Sequence, residues 1–308
     1  MAPEEHACLR SLFVTDPEED KNALKRRRGL RAPGTCNWIL ETPELKTWLG
    51  EAEGSPRNQT NILWLHGHPG KGKSTMAITL AEELLKRIYL STSSGTLVYF
   101  FCNSNIEERK TATAVIRGLL YQFIKQHPQL LRLLRPKYEE RKEKLFTSFD
   151  AMWSIFIDMA NDQATGKKYI IIDALDECDP EPRETLLKQI NQTFSNSDPS
   201  LSNVHILITS RPYQEIIEEL CVFNNKDLAS FDQSKRDVEV FIEQKVAELK
   251  TKKKYTQKVA VKTVAGNWMN GKEMMRLILD RRGDQLQITA KTAAVICERF
   301  DVPVRTIK

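Results

Sequence analysis

Four short apolar runs stand out along the chain: Asn61–His66 (NILWLH), Thr96–Cys102 (TLVYFFC), Lys168–Asp173 (KYIIID) and Val204–Thr209 (VHILIT). Their length and their β-branched and aromatic content predict strands. Their nearly unbroken apolar character is that of strands buried on both faces. Between them, apolar positions recur at three- and four-residue intervals. Ala114, Val115, Leu119, Leu120 and Phe123 mark a helix over 111–126, closed by His127-Pro128. The same spacing predicts helices over 74–87, 149–160 and 182–194. Strands alternating with long helices predict an α/β fold. The expected form is a three-layer sandwich with a mainly parallel sheet and crossover helices on both faces.

The flanks read differently. Residues 1–35 are rich in charge, densest at Lys25-Arg26-Arg27-Arg28, and read as a solvated lead-in. Cys36–Leu49 reads as short helices leading into the domain. After Arg211 the pattern is helical only, with a strongly amphipathic stretch over Lys235–Leu249. Tyr255-Thr256-Gln257-Lys258 is echoed by Ile288-Thr289-Ala290-Lys291, 33 residues later, a period at which helix pairs stack. The expected division is a helical lead-in over 1–50, a P-loop domain over 51–225, a helical extension over 226–254 and a small all-α repeat-like tail over 255–308.

Composition narrows this picture only a little. Hydrophobic residues make up 41% and charged residues 28%, ordinary values for a soluble globular chain. A net charge of +5 without a concentrated basic face gives no reason to expect a specific nucleic-acid partner. The six cysteines are scattered and form no CxxC pair, which argues against zinc or a redox motif and fits a reducing compartment. No apolar run is long enough to span a membrane, and Met1–Phe13 lacks the pattern of a signal peptide, so a cytoplasmic protein is expected.

The chemistry gathers at three strand ends. Gly67-His68-Pro69-Gly70-Lys71-Gly72-Lys73-Ser74 follows the first strand and, with Thr75, opens a helix; it matches G-x-x-x-x-G-K-[ST] in full. Glycines let successive N–H groups turn toward phosphate oxygens, and the helix N-terminus adds partial positive charge. Lys73 supplies a point charge for the β- and γ-phosphates, and Ser74 a hydroxyl for Mg²⁺. A purine nucleoside triphosphate, ATP or GTP, is the expected ligand. The run Tyr169–Glu177 (YIIIDALDE) brings Asp173 beside this loop as a second Mg²⁺ ligand, with Asp176 and Glu177 placed to orient or deprotonate an attacking water. At the end of the fourth strand, Ile208-Thr209-Ser210-Arg211-Pro212 would set a polar residue and Arg211 toward the γ-phosphate.

Taken together these stretches resemble the NACHT class of signal-transduction (STAND) NTPases. The match extends to NOD-like proteins of filamentous fungi of the vegetative, or heterokaryon, incompatibility type. The segments that carry the likeness are Gly34–Leu40 (GTCNWIL), LWLHGHPGKGKS, Tyr99–Cys102, ATAVIRGLLYQFI over 112–124, YIIIDALDECD and LITSRP. The resemblance implies a molecular switch that binds nucleotide through Gly67–Ser74 and Mg²⁺ through Ser74 and Asp173. It further implies slow hydrolysis supported by Asp176 or Glu177, γ-phosphate sensing by Arg211, and homo- or hetero-oligomerisation through the NACHT domain. Two departures stand out. His68 occupies a position where the family usually has an acid, and only about forty residues separate Arg211 from the repeat-like tail. They leave a second reading open, a non-catalytic nucleotide-binding interaction module or a truncated decoy paralogue.

Overall fold

Alternation with period two decides how the strands are packed. In the computed structural model, which describes residues 3–28, 31–51, 61–90, 95–195 and 198–253, β1 (Ile62–His66) places Ile62 and Trp64 in one apolar cluster and Leu63 and Leu65 in another. The same division runs through β2 (Gly95–Phe101), β3 (Lys167–Asp173) and β4 (Val204–Ser210). With β5 (Asn224–Asp227) these strands form one sheet in the order β2-β3-β4-β1-β5, and every pairing is parallel. β5 is the element that the apolar pattern did not foretell: its sequence is NNKD, polar throughout, on the sheet edge beside β1.

Helices cover both faces. The first face holds α1 (Pro3–Leu12), and then α5 (Ala112–Gln126), α6 (Leu131–Arg141), α7 (Phe149–Ala160), α8 (Pro180–Phe194) and α9 (Gln214–Leu220). The second face takes Leu24 of α2 (Pro17–Arg28), α3 (Pro43–Leu49) and α4 (Lys73–Leu90). The three-layer α/β sandwich expected from the pattern is therefore present. Met1–Ser234 form one compact unit and a second begins at Lys235, within α10 (Asp232–Lys253). The 33-residue echo and the all-α tail of 255–308 lie outside the described residues.

The charge-rich start of the chain contributes to the core through a few side chains. Cys8 and Leu12 of α1 and Leu24 of α2 are buried. Arg117 of α5 donates to the carbonyls of Ser11, Leu12 and Phe13, capping the end of α1 where helical carbonyls lack partners. Asp20 of α2 pairs with the buried Arg109 at 3.0 Å.

β2 is an edge strand, and its outward backbone is closed by side chains rather than by another strand. Gln122 accepts from Tyr99 N–H at 3.0 Å and donates to Tyr99 C=O at 2.8 Å. Gln126 donates to Leu97 C=O at 2.8 Å, and Arg109 reaches Phe101 C=O through Nε at 2.8 Å and Nη2 at 2.6 Å. An edge so occupied cannot template a further strand. α5 lies close enough for this because Gly118 has no side chain; a Cβ there would stand 2.6 Å from the Phe100 ring. Replacing Gln122 with Ala is expected to leave a buried donor and acceptor unpaired and to lower stability by about 2 kcal/mol or more. Urea unfolding would show this as a lower midpoint with an unchanged slope.

At the opposite end of the strands, His205 of β4 fastens α3 to the sheet. Its Nδ1–H donates to the Trp48 carbonyl at 2.5 Å, while Nε2 is buried with no partner among the described residues. Burial is the main reason that the imidazole pKa falls to about 4 from its ordinary 6.5. The folded state therefore resists protonation while the unfolded chain accepts it. The stabilisation from the neutral ring is complete above pH 6.5 and is lost as the pH falls from 6.5 toward about 4, a total of about 3 kcal/mol. Unfolding free energies measured across that window should slope more steeply for the wild type than for H205Q.

Candidate functional site

The loop after β1 is built by glycine conformation. Gly70 and Gly72 both take φ 81°, in the left-handed region that a side chain disfavours, and the chain turns there into the N-terminus of α4. Gly67 N–H donates to the Ser210 carbonyl at 3.3 Å, and Met76 N–H to the Gly72 carbonyl at 2.8 Å. Lys73 Nζ donates to the Gly67 carbonyl at 2.5 Å and the His68 carbonyl at 3.2 Å, so the lysine crosses the mouth of its own loop. Ser74 is buried in the first turn of α4, Thr75 is half-buried, and Pro69 and Lys71 are half-buried on the loop with His68 exposed between Gly67 and Pro69. Gly67 through Thr75 thus form one continuous cradle at a helix N-terminus, the place where anions are stabilised.

His66 precedes this loop. Its ring lies 4.4 Å from that of Trp64, and burial pushes its pKa down, opposed by the nearby Asp227 carboxylate. Trp64 is core, as its apolar run implies, and its indole N–H donates to Ser210 Oγ at 2.8 Å.

Asp173 ends β3 and is 1% exposed. Thr209 Oγ1 donates to its Oδ1 at 2.6 Å and in turn accepts from Ala174 N–H at 3.0 Å. Thr209 and Ser210 are thereby engaged by protein groups. β4 lies between β1, which carries the phosphate loop, and β3, which ends in Asp173. The loop strand and the Asp173 strand are therefore two strand spacings apart, about 10 Å.

Ala174 takes φ 56°, a left-handed conformation unusual for a residue with a Cβ, and redirects the chain sharply into the turn that carries Asp176 and Glu177. Asp176 Oδ1 accepts from Arg211 N–H at 3.0 Å, and Asp176 Oδ2 pairs with Arg211 Nε at 3.1 Å. Glu177 is half-buried on the same turn, and its N–H donates to the Ala174 carbonyl at 2.8 Å. The structure thus brings together Asp176 and Arg211, which the sequence offered as separate candidates. It also adds residues that the motifs did not show. Arg183 of α8 holds the Asp176 and Cys178 carbonyls at 3.3 Å and pairs with Glu215 at 2.6 Å. Tyr213 accepts from Arg211 Nη1 at 3.0 Å. Thr209 carried a signal in the sequence, as the hydroxyl that ends the run VHILIT.

Hard oxygen donors suit Mg²⁺, which takes few protein ligands. The Ser74 hydroxyl and the Asp173 carboxylate, oriented by Thr209, are such donors on either side of β4.

The family described as nephrocystin 3, N-terminal, matches residues 34–211, a span that runs from the segment before α3 through Arg211. The chain belongs to the nephrocystin 3 N-terminal family. It is also 30% identical over 255 residues to the vegetative incompatibility protein HET-E-1 of Podospora anserina, covering 80% of this chain and 18% of that protein. The likeness to NACHT proteins of the incompatibility type, stated above from the motifs, is borne out. The chain spans less than a fifth of that relative's length. Solved structures are more distant. Cdc6p from Pyrobaculum aerophilum aligns at a TM-score of 0.44 and 13% identity over 87% of this chain and 64% of that one. The Walker-type ATPase PABY2304 of Pyrococcus abyssi aligns at 0.40 and 14% over 86% and 74%. Such scores carry no weight for the site of this nephrocystin 3 N-terminal family member, which rests on its own geometry. No helix among the described residues is long and apolar enough to cross a membrane.

Thr209→Val in this family member keeps the shape but removes the one hydroxyl shared by Asp173 and the Ala174 N–H. Two buried groups then lose a partner, and stability is expected to fall by about 1–3 kcal/mol, read as a lower midpoint in urea.

Proposed function

We propose that this domain is a nucleotide-dependent signalling switch of the NACHT type, binding ATP or GTP with Mg²⁺ and hydrolysing it slowly. One observation carries the reading. The left-handed Gly70 and Gly72 turn the loop into the N-terminus of α4, where Lys73 and Ser74 stand, while Thr209 of β4 donates to the Asp173 carboxylate at the end of β3. The Gly67–Thr75 backbone and Lys73 would bind the phosphates, and Ser74 and Asp173 would hold the metal. When bound, Mg²⁺ neutralises phosphate charge. Glu177 or Asp176 would orient the water, and Arg211 would sense the γ-phosphate. The engagement of Asp176 with Arg211 supports slow turnover, because it removes one of two candidate bases. It also favours the second reading, a nucleotide-binding interaction module that turns over nothing. By analogy with the vegetative incompatibility protein HET-E-1, the switch would act in the cytoplasm in incompatibility or immunity signalling and oligomerise through this domain.

Fluorescent ATP and GTP analogues titrated with and without Mg²⁺, with phosphate release followed in the same samples, test this reading. Micromolar, Mg²⁺-dependent binding is expected, weakened at least about tenfold by Lys73→Ala. Turnover should lie far below the enzyme median of about 10 per second. A folded wild-type chain that binds neither nucleotide would overturn the switch, and turnover at or above that median would make the protein an ordinary NTPase. Binding with no phosphate release would leave the interaction module.

A further inference from the structure

α2 is fastened to the domain mainly through charged and polar side chains. Leu24 is the one buried apolar side chain among its described residues, and Arg26 and Arg27 are exposed. Its other attachments are ionic. Asp20 pairs with Arg109 Nη1 at 3.0 Å, and Lys25 pairs with Glu82 of α4 at 2.6 Å. Glu18 accepts from the Tyr99 hydroxyl at 2.7 Å and from the buried Lys21 at 2.7 Å. α1 differs, since it docks through Cys8 and Leu12 in the core. Lys25 and Glu82 are 34% and 33% exposed, and a pair so open to water adds little stability by itself. A helix held in this way can leave the surface while the core stays closed.

The partners of α2 lie on two halves of the nucleotide site. α4 begins with Lys73 and Ser74 of the phosphate loop, and Glu82 is on the same helix. Arg109 holds the Phe101 carbonyl through Nε at 2.8 Å and Nη2 at 2.6 Å. Phe101 stands opposite Asp173 in the register of β2 and β3, and the next residue, Cys102, donates its N–H to the Asp173 carbonyl at 3.0 Å. α2 therefore bridges the helix of the phosphate loop and the strand end that flanks Asp173. We propose that α2 is a detachable strap linked to nucleotide: its docking holds the two halves of the site together, and binding of Mg²⁺ and nucleotide in turn tightens its docking. The linkage runs both ways, because a contact that favours the bound state is favoured by it to the same extent. It rests on the nucleotide-switch reading above and adds a route by which the N-terminal helices register whether the site is filled.

The basic end of α2 supplies the readout. Trypsin cuts after Arg26, Arg27 and Arg28 once the helix has left the surface and frayed, so the cleavage rate follows the undocked population. The rate is measured on the full chain with and without Mg²⁺ and a non-hydrolysable ATP or GTP analogue, whose binding is followed in the same sample. In the wild type, saturating analogue with Mg²⁺ should slow cleavage about tenfold, and analogue without Mg²⁺ should protect less. E82K sets two cations against each other. It should speed cleavage by about fivefold at an unchanged thermal midpoint, and protection by Mg²⁺ and analogue should fall below about threefold. K25E/E82K restores the pair with its signs exchanged, keeps all three arginines and should return both values to those of the wild type. D20N, which frees Arg109 from the strap, should also reduce protection; if it melts below the assay temperature, the charge-exchange variants decide. Cleavage that Mg²⁺ and analogue leave unchanged in a chain shown to bind them would overturn the strap alone, as would protection that survives E82K intact. A folded wild-type chain that binds neither analogue would bring down the switch reading together with it.

Discussion

Strand β4 separates the strand of the phosphate loop from the strand of Asp173, and its last two residues and the one that follows bind the site together. Thr209 turns to β3, where its hydroxyl serves both Asp173 and the Ala174 N–H. Ser210 turns to β1, accepting from the Trp64 indole through Oγ and from Gly67 N–H through its carbonyl. Arg211 turns to the loop after β3 and meets Asp176. The parallel register makes this possible, since His66 lies opposite Ser210 and Ile172 opposite Ile208, so all the strand ends arrive at one edge. In open parallel sheets that edge is where ligands bind.

The parts legible in the sequence were those with local causes. The four apolar runs became β1 to β4 because a strand buried on both faces needs nearly continuous apolar sequence. The phosphate loop was legible because its glycines, lysine and serine are adjacent. β5 was not, since Asn224–Asp227 lies at an edge and gains its order from pairing with β1 rather than from burying apolar side chains. Residues 1–35 read as solvated because charge dominates their composition; the buried apolar side chains Cys8, Leu12 and Leu24, and partners far along the chain, Arg109 and Arg117, fasten their helices.

Pairings over long separations were invisible for a different reason. Asp176 and Arg211 are 35 residues apart, and each alone fits a motif role. Only the interposition of β4 brings them into contact. Arg183 could be read as a charged position on an amphipathic helix, yet it is buried and braces the turn. The motif letters therefore offered each residue separately and left open which of them meet.

The energetics of that pairing bear on why it exists. An ion pair with one partner a third exposed adds little net stability, because desolvation and side-chain ordering offset most of the attraction. Its consequence is geometric. A guanidinium held by a main-chain N–H beside it, by Nε and by Nη1 has lost most of its rotational freedom before any ligand arrives, and less ordering then remains to oppose binding. The Asp173 carboxylate is likewise oriented before any ligand arrives, since it accepts from the Thr209 hydroxyl. One acid thus sets an arginine, and the other is itself set by a hydroxyl of the strand that separates it from the phosphate loop.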